Sequence, residues 1–194
     1  PAMENFYGAF WANVLNYTDM NGDGPGLDGN KYYNVYQEGI YVGYRYFETF
    51  AKDKVLYPFG FGLGYGEFKK EFLNAKIEND TVSMTVKSTN VCDFCSKDVL
   101  QIYVSQPQGK LGKPEKVLCG FEKTNCLKPG ECQKLEIKVN LLDFTSYSEA
   151  RAAYILEKGS YVLRIGAHSR NTVAACEILL DETVICRKVK NRIV

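Results

Sequence analysis

Three clusters in this 194-residue chain have the residue types and spacing of chemical sites. Asp19-Met-Asn-Gly-Asp-Gly24 begins like a calcium loop, with oxygen ligands at positions 1, 3 and 5 and glycine at 6. The pattern then departs, because Pro25 follows and Asn30 stands at position 12, where a bidentate glutamate belongs. An Asx/Gly turn is the expectation, and calcium binding is the alternative. Cys92-Asp-Phe-Cys95 has the spacing of half a zinc site or of a redox pair. A zinc site needs two more ligands nearby, and His168 is the single histidine. Gly60-Phe-Gly-Leu-Gly-Tyr-Gly66 has the glycines of a phosphate loop without its lysine, its Ser/Thr or a helix behind it. Glycines among rings serve close packing better.

Nucleophilic catalysis is hard to assemble. His168 lies in the turn-like GAHSRN, and a Ser–His or Cys–His machine needs it in a cleft with an orienting partner. A solvated turn histidine is the expectation. The chain carries 24 basic and 23 acidic residues, so charge makes no case for nucleic acid or an anionic membrane. No apolar run is long enough to span a bilayer, and no signal peptide opens the chain. It begins PAMENFYGAFW, without an initiator methionine, and reads as a piece of a longer polypeptide. Seven cysteines, at 92, 95, 119, 126, 132, 176 and 186, is an odd count. Free thiols in a reducing cytosol are expected, hence a cytoplasmic location. Catalytic residues, metal sites and cofactors are all expected to be none.

The elements that would position such groups change character along the chain. Phe6, Phe10, Trp11, Val14 and Leu15 suggest a short amphipathic turn, followed by the loop MNGDGPGLDGN. From Tyr36 to Phe68, tyrosines 36, 41, 44, 46, 57 and 65 crowd around Gly60, Gly62, Gly64 and Gly66. Neither a regular helix nor a simple strand is expected there; the segment reads as an extended aromatic arm lying across a neighbouring surface. Beyond Phe68 come alternating runs: Val82, Met84, Val86; Leu100, Ile102, Val104; Leu135, Ile137, Val139, Leu141; Tyr161, Leu163, Ile165; Cys176, Ile178, Leu180. Turn chemistry separates them at Glu78-Asn-Asp80, Gln106-Pro-Gln-Gly109, Lys128-Pro-Gly130 and Lys158-Gly159. Strands without intervening helices predict an all-β antiparallel sandwich of about seven strands, with one face of each sheet wet.

Several motifs fall together in order. EGIYVGYRYF at 38–47 and YPFGFGLGY at 57–65 precede STN at 88–90, DVLQIYVSQP at 98–107, KVLCGFEK at 116–123, LKPGE at 127–131 and LEKGSYVLRIG at 156–166. Over roughly residues 31 to 180 the chain resembles the C-terminal part of glycoside hydrolase family 3 enzymes of β-glucosidase type. The resemblance implies an immunoglobulin-like, fibronectin type III-like sandwich at 68–181, behind an irregular arm at 1–67 that ends a preceding domain. Residues 182–194 form a tail beyond the last family strand, hinting at a permuted order with the barrel domain following. It also implies a retaining glycosidase whose nucleophilic aspartate and acid/base glutamate lie in a barrel and an α/β domain, with carbohydrate reached through those parent domains. Neither motif is present: Phe10 precedes Trp11, so no Ser-Asp-Trp occurs. Glu38 sits in the matching arm with nothing marking it as catalytic. Asp143 and Glu149 fall in a family turn, as capping or surface groups. The implied role is a non-catalytic structural module. The alternative is a carbohydrate-binding or protein-interaction sandwich, with Tyr103 and Tyr147 as the residual sugar-stacking candidates and no sugar affinity tighter than millimolar.

Overall fold

The computed structural model describes residues 39–190. The chain divides into two compact units, Pro1–Pro58 and Phe59–Val194. Trp11, the Asp19–Gly24 loop and Glu38 lie outside the described residues.

In the first unit a helix forms, contrary to the sequence expectation for the arm. Helix α1 spans Tyr44–Phe50 and starts at Gly43, whose φ of 59° an ordinary side chain would resist. Its seven residues contain neither glycine nor proline, so nothing within YRYFETF opposes helical backbone. Tyr46 and Phe50, four apart, bring their rings to 5.5 Å, and Tyr41 caps the same ring at 5.0 Å. The crowding of rings that argued for an extended arm thus stabilises one helical face before the glycines begin.

The second unit is a sandwich of antiparallel sheets. One sheet has the order β1-β2-β5, with β1 at Phe68–Glu78, β2 at Thr81–Asn90 and β5 at Cys132–Asn140. The other has the order β4-β3-β8-β9, with β3 at Val99–Ser105, β4 at Val117–Lys123, β8 at Gly159–His168 and β9 at Asn171–Leu180. Alternation does what it predicts between the layers. Val82, Met84 and Val86, with Leu135, Ile137 and Val139, face Leu100, Ile102, Val104, Leu163 and Ile165, all buried in one core. Phe144 and Tyr161 stack at 6.5 Å to close one end, and the Tyr161 hydroxyl donates to the Glu157 carbonyl oxygen at 2.9 Å.

A third sheet exceeds the seven-strand expectation. Strands β6 (Ser146–Ser148), β7 (Ala153–Leu156) and β10 (Val184–Lys188) pair in the order β10-β7-β6. The segment 182–194, expected to trail past the sandwich, therefore supplies a strand registered against β7, with Val184 opposite Leu156. Leu156 belongs to the main core, so this sheet is anchored through β7.

The wet-face expectation holds for the first sheet and for part of the second. Its outer face shows Lys134, Glu136 and Lys138 to solvent, and Lys87 pairs with Glu71 at 2.7 Å. In the second sheet Gln101 and Tyr103 point away from the core by alternation, yet Tyr103 is 0% exposed. That outer face is covered at Gln101 and Tyr103, while Val99 and Phe121 on it stay exposed.

The thiol expectation also changes. Cys95 is bonded to Cys126, with Cα atoms 5.9 Å apart, while Cys92, Cys119, Cys132, Cys176 and Cys186 are free. The free-thiol reading fails for Cys95 and Cys126 because folding sets their two segments side by side. Ser96 bridges Leu127 as an isolated pair, and buried Asn90 donates to the Phe94 and Leu127 carbonyl oxygens at 2.8 and 2.7 Å. Cys92 is held elsewhere, its Sγ and amide both donating to Asn90 Oδ1. CxxC spacing here marks a knotted turn.

Candidate docking surface

The covered outer face leads to the glycine-rich segment. Phe59–Gly66 enters the second unit ahead of β1. Gln101 Nε2 donates to the Gly60 carbonyl oxygen at 2.9 Å and also to that of Ala167, while Gln101 Oε1 accepts from the Tyr103 hydroxyl at 2.6 Å. One buried carboxamide thus spends its donors and its acceptor tying the segment to β3 and to the end of β8. The Ser169 amide donates to the Phe59 carbonyl oxygen at 2.9 Å, and Lys116 Nζ donates to the Ser169 carbonyl oxygen at 2.8 Å. Buried polar groups of this kind cost stability unless partnered, and here those atoms find partners.

Gly60 is required by position. Its φ is +80°, and a Cβ would run into the Gln101 carboxamide. Gly60→Ala is expected to destabilise the attachment by about 2 kcal/mol. Cleavage by a broad protease within 59–65 should then accelerate while the sandwich stays intact; unchanged cleavage would show that the latch does not hold the segment.

Side chains beyond the latch face solvent. Leu63 is 95% and Tyr65 is 91% exposed, and Phe59 and Phe61 are exposed as well. Phe121 on β4, registered directly opposite Gln101, is 67% exposed. Large apolar side chains exposed in this number mark an interaction surface. His168 sits at its edge with its ring 5.7 Å from Phe61, and its Nδ1 accepts the amides of Arg170 and Asn171 at 3.3 and 3.2 Å. That nitrogen shapes a turn, as the sequence suggests, and is engaged where a general base would need it open.

Two of the buried carboxylates, Asp98 and Glu157, are engaged in structure. Asp98 accepts from Lys70 Nζ at 2.9 Å and Ser88 Oγ at 2.6 Å. Glu157 accepts from the Lys110 amide at 2.8 Å, the Leu111 amide and Lys113 Nζ. Burial pushes the Glu157 carboxyl up, but the Lys113 ammonium and the two amides outweigh it and hold it below the ordinary carboxylate value. Asp143 and Glu149 are exposed in short 3₁₀ turns; the cap of the first turn is Asn140, whose side chain accepts the Leu142 amide at 2.9 Å. Among the described residues no three His, Cys, Asp or Glu side chains gather to hold a metal ion. Burial pushes the Cys119 thiol up to about 12, which leaves it protonated and unreactive.

Tyr103 must be corrected as a sugar-stacking candidate, because its ring is fully buried. Tyr147 remains at the surface beside Tyr154. Gln101 was missed by sequence reasoning; its signal was a polar residue at an outward position of an otherwise apolar strand.

Residues 98–169 match the family described as "Fibronectin type III-like domain". β-Glucosidase A of Butyrivibrio fibrisolvens is 41% identical over 184 residues, covering 84% of this chain and 22% of that protein. The crystal structure of a β-glucosidase from Paenibacillus barengoltzii aligns with a TM-score of 0.79 at 35% identity, over 92% of this chain and 20% of that one. A GH3 β-glucosidase from Bifidobacterium adolescentis aligns with a TM-score of 0.69 at 31% identity, over 86% of this chain and 24% of that one. The chain is thus similar to the fibronectin type III-like part of β-glucosidases, one of them described as GH3. It spans about a fifth of the length of the curated relatives it matches. In those β-glucosidases the matched region is one part of a larger polypeptide.

Proposed function

We propose that this chain is the fibronectin type III-like structural module of a retaining, β-glucosidase-like hydrolase and does no hydrolysis itself. The Phe59–Tyr65 segment fastens it to the catalytic barrel and α/β domains of the same polypeptide, and carbohydrate meets the enzyme there. The observation that carries the reading is the Gln101 latch. It fixes the backbone at Gly60 firmly while Leu63 and Tyr65 stay exposed. A rigid base presenting apolar side chains is what a docking strap requires, and such a patch is costly in a protein with nothing to cover it. Retaining hydrolysis needs two carboxyl groups about 5–5.5 Å apart, one protonated and one ionised. Of the buried carboxylates Glu48, Asp98 and Glu157, the last two are each bound to a lysine of their own.

The purified chain is expected to release no phenol from an aryl β-glucoside above the buffer rate. A measurable rate that survives further purification would overturn the reading.

A further inference from the structure

The third sheet carries a surface that the docking role does not use. Tyr147 on β6 is registered opposite Tyr154 on β7, and Tyr154 opposite Arg187 on β10. Three side chains thus form one row across three neighbouring strands. With strands about 4.8 Å apart, the row is roughly 10 Å long. The two rings are 5.4 Å apart and inclined at 53°, and the Arg187 guanidinium carbon lies 5.9 Å from the Tyr154 ring centre. Both tyrosines are 38% exposed.

We propose that the Tyr147–Tyr154–Arg187 row is a weak surface site for the pyranose rings of a neutral β-glucan chain. The electron-rich face of a tyrosine attracts the polarised C–H bonds on the flat side of a pyranose. Arg187 supplies up to five donors in a rigid plane beside those rings, and sugar hydroxyls and ring oxygens accept from them. The guanidinium over Tyr154 and the Tyr147–Tyr154 pair restrict one another's rotamers, so little freedom remains to be lost on binding. Size selects among occupants. At this exposure the two rings offer on the order of 150 Å², whereas a stable protein partner needs about 800 Å² per side. A chain of one or two sugar rings matches the smaller figure. For the choice of glucan the inference rests on the function proposed above; the stacking geometry does not.

The test is a titration of the whole chain, labelled with nitrogen-15, with cellotetraose. Expected are fast-exchange shifts centred on Tyr147, Tyr154 and Arg187, with a Kd on the order of a millimolar. Tyr147→Ala should weaken binding about fivefold, and Arg187→Gln about threefold. Saturating cellotetraose that leaves these three amides unmoved overturns the site, and the shift map on the unaltered chain decides this even where a variant fails to fold. Shifts at the row with mannotetraose and none with cellotetraose overturn the glucan assignment and count against the parent's proposed substrate. The aryl-glucoside result depends on neither.

Discussion

Cys126→Ser is expected to lower the stability of the second unit by about 3–4 kcal/mol, and to move its midpoint down by roughly 10–20 °C. Cys95 and Cys126 are 31 residues apart, and the bond between them removes that loop's freedom from the unfolded chain. The loop it closes contains β3 and β4, so half of the second sheet lies inside it. Part of the turn survives without the bond, through Asn90 Nδ2 and the Ser96–Leu127 bridge, which places the expected loss at the entropic figure. Urea unfolding of the parent chain, of Cys126→Ser and of Cys132→Ser measures this directly. Cys132 is exposed and free, so its substitution should change little. Reducing the parent chain should reproduce the Cys126→Ser midpoint. Parent and Cys126→Ser unfolding together under oxidising conditions would show that the two sulfurs do not bond in solution.

That bond was out of reach of the sequence for a definite reason. Cysteine spacing along the chain pairs 92 with 95, and a seven-cysteine count points to thiols. What pairs 95 with 126 is the return of the chain after β4 to the turn between β2 and β3, a long-range event that periodicity does not encode. The sandwich core was legible for the opposite reason. Each run of alternating residues has one buried side however its neighbours are arranged, so β2, β3, β5 and β8 could be read from their own residues. The motif order supplied the fibronectin type III-like label. The third sheet was not legible: β6 and β7 have three and four residues, too short for alternation to stand out.

The surface was legible in part. Glycines among rings at 57–66 announced close backbone approach, and Gly60 against Gln101 is such an approach. The helix Tyr44–Phe50 was hidden because the same rings suit an extended arm, and only the local absence of glycine tells the two apart. Tyr103 looked available because alternation points it outward. Alternation reports which sheet face a side chain occupies and is silent on what later covers that face.

Glu157→Gln is expected to cost 3–5 kcal/mol, since it leaves the Lys113 ammonium buried without its counter-charge. The loop between β3 and β4 should loosen with it, because Glu157 also accepts the Lys110 and Leu111 amides. Acid should act in the same sense. The folded carboxyl is held below its ordinary value of 4.5 by Lys113 and those amides, against the upward push of burial. Its contribution is therefore complete above pH 4.5 and disappears as the pH falls through the lower folded value, where the unfolded chain binds the proton first. Urea midpoints measured from pH 7 downward should fall more steeply for the parent chain than for Glu157→Gln in that window. Adding Lys113→Met to Glu157→Gln should return most of the lost stability, because removing both charges removes the desolvation cost along with the attraction. A double variant no more stable than Glu157→Gln alone would mean that the amide contacts, and not the ion pair, hold this loop.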